Sequence, residues 1–127
     1  MPSTITLAKL HRVLQIGMGW TDRHLHQFVV DNTIQYEYDF GDGWQHLIVV
    51  ERLLWAKPGA RGAVCLAGGG ACPPEDCGGT GGDANLLATL RRGRGREYRE
   101  LLAWLGGPFD PTAFDLAAVN RALTRRR

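Results

Sequence analysis

The run Tyr36-Glu37-Tyr38-Asp39-Phe40-Gly41-Asp42-Gly43-Trp44-Gln45-His46 constrains the fold of this chain more than any other stretch. Ile34, Tyr36, Tyr38 and Phe40 alternate with Gln35, Glu37 and Asp39, the period-two pattern of a strand with one buried face. Beyond the turn, Trp44, His46, Ile48 and Val50 share one face, while Gln45, Leu47, Val49 and Glu51 share the other. Gly41-Asp42-Gly43 reads as a tight reversal built on the positive φ that glycine tolerates. The pattern predicts a β-hairpin whose Tyr36, Tyr38, Phe40 and Trp44 belong to the core. A base-stacking sheet would need those rings in solvent with arginines beside them, and the nearest arginines, Arg23 and Arg52, stand at strand ends.

The flanking segments supply the rest of the architecture. Leu7, Leu10, Val13 and Leu14 recur at helical spacing from Thr6 to about Gly17, with Thr6 or Thr4 as cap and Gly17 or Gly19 as stop. His26, Phe28 and Val30 fall on one side of a strand beginning near His24, and Asp31-Asn32-Thr33 turns it into the hairpin. The second hairpin strand fades near Leu54 or Trp55. Lys57 to Asp83 is glycine-rich, holds three prolines and all three cysteines, and lacks apolar periodicity. A loop of that length is expected to be functional, metal-pinned or disordered. Helical signals follow: Leu86, Leu87 and Leu90 after a cap near Asp83, broken by Gly93 and Gly95; Tyr98, Leu101, Leu102 and Leu105 up to Gly106-Gly107; a turn at Asp110-Pro111; and an Asp115-capped helix carrying Leu116, Val119 and Leu123. The order predicts one α+β domain over residues 1–127. In it, a three-stranded antiparallel sheet packs against N-terminal and C-terminal helices, and an arginine tail starts at about 124.

Charge is unevenly placed. Residues 1–90 carry six basic and nine acidic side chains, residues 91–127 nine arginines and four acids. This makes Arg91, Arg92, Arg94 and Arg96 the candidates for contact with DNA, against the plainer reading of a solvated helix face. No apolar run approaches the roughly 20 residues of a membrane span, and Met1-Pro2-Ser3-Thr4 lacks the pattern of a signal peptide. The expectation is a cytoplasmic protein without membrane partners, with Cys65, Cys72 and Cys77 as reduced thiols.

Two constellations can carry chemistry. Cys65, Cys72 and Cys77 with His46 offer soft ligands for zinc, with His24 or His26 as alternative nitrogen donors, although no Cys-x2-Cys knuckle is present. His24 and His26, either side of Leu25, are not expected to chelate one ion together. Asp39, Asp42, His46, Glu75 and Asp76 form the second set, a carboxylate centre suited to magnesium or manganese and to metal-assisted phosphodiester hydrolysis. Its plainer reading is structural: Asp in a Gly-Asp-Gly turn bonds its own backbone, and Glu75-Asp76 caps a loop. Serine nucleophile chemistry is excluded, since Ser3 is the single serine, and there is no Walker-type phosphate loop. Cys77, before Gly78-Gly79 and with His46 as base, is the formal cysteine alternative.

Four blocks in order identify a resemblance: His24-Leu25-His26-Gln27-Phe28; Tyr36 through His46; Cys72-Pro73-Pro74-Glu75-Asp76-Cys77-Gly78-Gly79; and Phe109-Asp110-Pro111 with Phe114-Asp115 and Asn120. Together they resemble the plasmid pRiA4b ORF-three-like family, also seen as passenger proteins of bacterial transposons, from about Thr6 to Leu123. The resemblance implies a compact α+β domain of mobile elements with no assigned biochemical role and no catalytic residues to carry over. Two departures from the family pattern are expected: a missing N-terminal strand, and a shortened segment between the strand ending near Val30 and the Tyr36 strand. An open sheet edge would follow, and with it a homodimer. The reading reached is a non-enzymatic module that binds protein or nucleic acid, with a metal-dependent phosphodiester hydrolase or nuclease as the alternative.

Overall fold

A computed structural model describes residues 5–31, 33–52 and 62–125. Thr4 as a cap, the first residues of the glycine-rich segment and Arg126-Arg127 lie outside the described residues. The second hairpin strand, expected to reach Leu54 or Trp55, ends instead at Ile48, opposite Ile34, where its partner strand begins. Helix α1 (Leu7–Met18) opens on Thr6, whose hydroxyl accepts from the Lys9 amide at 3.1 Å, and closes on Gly19 at φ 75°. Leu10 is buried and Leu14 half-buried, while Leu7 stays exposed.

Strands β1 (His26–Val30), β2 (Ile34–Tyr38) and β3 (Trp44–Ile48) form an antiparallel sheet in the order β1-β2-β3. Tyr36 pairs with Phe28 and His46, and Tyr38 with His26 and Trp44, so one face collects every aromatic of the three strands. Trp20, at the end of the turn out of α1, lies against that face. Its ring stacks on Tyr38 at 4.8 Å and approaches Trp44 at 6.1 Å. These four residues are the core cluster, with Leu14, Met18, Phe28, Ile48, Cys72 and Cys77 packed around it. The α+β class and the three-stranded sheet are as predicted.

Helices α2 (Gly79–Arg92), α3 (Arg96–Leu105) and α4 (Leu116–Arg125) complete the domain. Helix α3 packs on α2, and α4 packs on α1. Gly93 and Gly106 end α2 and α3 in the left-handed conformation, and Asp115 caps α4 by accepting from the Ala118 amide at 2.9 Å.

Three further expectations are corrected. The hairpin connection is a five-residue loop, Asp39 to Gly43, in which Asp39 (φ 61°) and Gly43 (φ 73°) take positive φ and Gly41 does not. Asp39 can do so because its carboxylate accepts from the amides of Gly41 and Asp42. Phe40 sits on this loop and is exposed, because the left-handed Asp39 ends the alternation that would have turned it inward. Helix α2 starts at Gly79, four residues before the predicted cap at Asp83. Tertiary contact outweighs the poor helix propensity of its glycines there: Gly79 is buried so tightly on the Asp42 carbonyl that any Cβ would collide with it.

Candidate functional site

The Cys72–Cys77 loop is clamped onto the hairpin by its own side chains. Glu75, with only 7% of its side chain exposed, accepts hydrogen bonds from the Tyr38 hydroxyl, from Thr21 Oγ1 at 2.8 Å and from Arg23 Nε at 2.8 Å. Burial alone would raise this carboxyl, but the three donors outweigh it and hold it below the usual carboxylate range. Burial first, and then the bond to Glu75, raises the Tyr38 phenol. Pro73 accepts from the Trp20 indole at 3.1 Å, and the Gly78 amide donates to Asp42 Oδ2 at 3.2 Å. Glu75 and Asp42 are therefore fasteners, each committed to donors of its own.

Fastening the loop brings Asp76 to the hairpin turn. Asp76 Oδ1 lies 2.8 Å and Asp39 Oδ2 3.5 Å from Nε2 of His24. That nitrogen is buried and makes no hydrogen bond with either carboxylate. A second group joins His11, Asp22 and His26. Among the described residues these are the two sets of three or more His, Cys, Asp or Glu with ligand atoms within 4.8 Å of one another. They also hold every non-glycine residue with positive φ among the described residues: Asp22 (57°), Asp39 (61°) and Asp76 (63°). Each such backbone costs about 1–3 kcal/mol, and such strain collects at functional sites.

Hydrogen bonding separates the two groups. The Asp22 amide donates to Gln15 Oε1 at 2.8 Å, which leaves Gln15 Nε2 to donate to the Tyr36 hydroxyl at 2.9 Å. The Tyr36 proton then goes to His11 Nδ1 at 2.7 Å, and His11 Nε2–H to Asp22 Oδ1 at 2.8 Å. The ring closes with an acceptor for each of these four protons, so the tautomer of His11 is set by the amide proton of Asp22. A cation on His11 Nε2 would displace the proton that completes it and strand the buried Tyr36 hydroxyl. His26 covers this network with its ring stacked on His11 at 3.5 Å. Burial, and next the His11 ring, lower His26 against the opposing pull of Asp22. This group is a structural lock, whereas the His24 group has a buried nitrogen that makes no hydrogen bond.

The other predicted residues are dispersed. His46 sends Nδ1 to the Tyr36 carbonyl at 3.0 Å and stands edge-on to Trp20. His46, Cys65 and Cys72 line one apolar cleft of about 690 Å³ between α1, α4 and the glycine-rich loop, but their ligand atoms do not converge. Asn120 holds the wall of this cleft by bonding both the amide and the carbonyl of Cys65. Cys77 lies outside it, near the Gly79 carbonyl. Burial, then Asp83, pushes the Cys72 thiol up to about 12 and the Cys77 thiol up to about 11, so neither is a ready thiolate. His46 is a wall of the cleft and takes no part in the Asp39–Asp76 cluster. His24 stands in its place, and the alternation Asp22, His24, His26 is the one sequence signal that points there. His24 and His26 do serve separate groups, because His24 precedes the first residue of β1.

Of the arginines, Arg92 pairs with Glu97 at 2.9 Å and Arg96 with Glu100 at 2.8 Å. Arg91 and Arg94 are exposed. No helix among the described residues is long and apolar enough to cross a membrane.

An uncharacterized protein of Sinorhizobium fredii, y4hQ, is 33% identical over 156 residues, covering 97% of this chain and 80% of its own length. Since 156 exceeds the length of this chain, that relative carries extra residues within the matched span. The crystal structure of MM3350, a protein of unknown function from Methanosarcina mazei Go1, superposes with a TM-score of 0.82 at 31% identity, over 92% of this chain and 84% of that one. The profile of the plasmid pRiA4b ORF-3-like proteins matches in two pieces, residues 1–35 and 29–118. The pieces overlap at the β1–β2 turn, where the sequence predicts a shortened connection. On this match the chain belongs to the plasmid pRiA4b ORF-3-like family.

Proposed function

We propose that the protein is a non-enzymatic binding module whose loop surface is set by a divalent cation held by His24, Asp39 and Asp76. One observation carries the reading: a buried imidazole nitrogen without a hydrogen-bond partner, facing carboxylate oxygens at 2.8 and 3.5 Å. Ligand atoms sharing one ion at about 2.1 Å stand about 3–3.4 Å apart, a separation that the two spacings here bracket and that a small shift of each side chain would reach. One nitrogen and two carboxylates suit zinc or manganese. Such an ion would join the strand entry at His24, the hairpin turn at Asp39 and the loop at Asp76. It would also repay the strained backbones of both aspartates.

Titration with zinc and manganese salts, followed by calorimetry and thermal melting, tests this. Binding should raise stability by about 2.7 kcal/mol at an ion concentration a hundredfold above Kd. His24→Gln and Asp76→Asn should each abolish the effect. A parent protein that ignores both ions removes the reading.

The half-exposed Asp76 favours a second reading. An ion there keeps positions open to solvent, as a metal-dependent phosphodiester hydrolase requires. Manganese-dependent cleavage of bis(p-nitrophenyl) phosphate, lost in Asp76→Asn, would establish it. Ion binding without cleavage leaves the binding module.

A further inference from the structure

The face of the sheet turned away from the aromatic core presents Gln27 and Val29 from β1, Gln35 and Glu37 from β2, and Gln45 and Leu47 from β3. Leu25 and Val49 extend it at either strand. Four of its apolar side chains are open to solvent, with Leu25 72%, Val49 65%, Leu47 64% and Val29 47% exposed. A shallow concavity of about 390 Å³ lies between them. An apolar surface left in water around a polar centre marks an interaction site.

Charge says what the site accepts. Glu37 stands on the central strand, and its two carboxylate oxygens accept from Gln27 Nε2 at 3.0 Å and Gln45 Nε2 at 3.4 Å. One amide from each neighbouring strand thus holds the carboxylate in place without neutralising it. Residues 24–51 contain no lysine or arginine, so the three strands themselves bring no such cation to the face. The apolar rims on β1 and β3 are two strand spacings apart, about 10 Å, which is the width of an α-helix.

We infer that this face docks an amphipathic helix of a partner protein, apolar on one side and carrying a lysine or arginine that meets Glu37. A second copy presenting the same face would set Glu37 against Glu37, and nucleic acid would bring phosphate to it, so neither fits. The inference does not depend on the cation site, which involves the aromatic side of the hairpin and its loop.

Two synthetic helical peptides provide the probe, identical except for lysine or glutamate at the centre of a leucine-bearing side. The lysine peptide should bind at least about tenfold more tightly and shift the amide resonances of Gln27, Glu37, Gln45 and Leu47. Glu37→Lys, an exposed-face change checked by an unaltered melt, should reverse the preference. Leu47→Asp should weaken both peptides. Equal binding of the two peptides, or shifts elsewhere, would overturn the inference. So would a parent dimer that Leu47→Asp dissolves, since the face would then be self-associating.

Discussion

The Tyr36 hydroxyl donates to Nδ1 of His11 across 2.7 Å, and this bond ties α1 to the central strand of the sheet. Tyr36 is completely buried, and its oxygen also accepts from Gln15, the next residue on that side of the helix. The aromatic side chain thus serves the core with its ring and the helix–sheet junction with its oxygen.

Tyr36→Phe keeps the ring and removes the oxygen, leaving His11 Nδ1 and Gln15 Nε2 without a partner. Buried polar groups left unsatisfied cost about 1–3 kcal/mol each, so a loss of about 2–6 kcal/mol is expected. Urea unfolding should show a lower midpoint at unchanged slope. Combined with Gln15→Leu, the change should cost less than the sum of the two single changes.

Glu75→Ala removes the acceptor shared by Tyr38, Thr21 and Arg23. A loss of about 2–3 kcal/mol is expected, most of it from the stranded Tyr38 hydroxyl. Limited proteolysis should then cut within Cys72–Gly78 before any other described segment. Cleavage unchanged from the parent would mean that the Trp20–Pro73 and Asp42–Gly78 bonds hold the loop alone.

His26 predicts how stability responds to acid. Its folded pKa lies below the ordinary 6.5, chiefly from burial, so the unfolded chain takes up the proton first as pH falls. Its contribution to stability is complete above about 6.5 and is lost as pH falls from there through the folded value. Denaturant midpoints measured at pH 7.5 and 5.5 should decline in the parent. The decline should be shallower in His26→Phe, which retains the stacked ring. Identical slopes in the two proteins would show that the His26 proton is not linked to folding.

At the α2–α3 corner, two of the four candidate arginines are already engaged by Glu97 and Glu100. Affinity for DNA through this corner should therefore carry a salt slope of no more than about 2, the share of Arg91 and Arg94. Filter binding from 50 to 200 mM salt measures it. A slope near 4 would mean that phosphate displaces both glutamates.

Local chemistry made much of the fold legible. Strand alternation from Ile34 to Tyr38 and from Trp44 to Ile48, Thr6 and Asp115 as caps, and Gly19, Gly93 and Gly106 as stops each act within a few residues of themselves. A cap or an alternating strand therefore announces itself in the sequence. The start of α2 and the exposure of Phe40 were not legible. The first depends on the Asp42 backbone, 37 residues before Gly79, and the second on a left-handed aspartate.

The candidate site divides along the same line. The sequence by itself determined that Asp39, Asp42, Glu75 and Asp76 belong to a hairpin turn and a short cysteine-bounded loop, and that these could meet. Only the tertiary structure decided their roles. Glu75 and Asp42 are consumed by donors from other elements. Asp39 and Asp76 each keep one oxygen toward His24, while Asp39 Oδ1 accepts from the Gly41 and Asp42 amides and Asp76 Oδ2 from Arg23 at 3.5 Å. His24 and His46 are the same residue type near the same hairpin. What separates them is that the Tyr36 carbonyl already occupies one nitrogen of His46, whereas Nε2 of His24 is buried between two carboxylates without a hydrogen bond. That difference comes from packing across more than fifty residues of chain, from Asp76 to His24, and a pattern of neighbouring residues does not encode it.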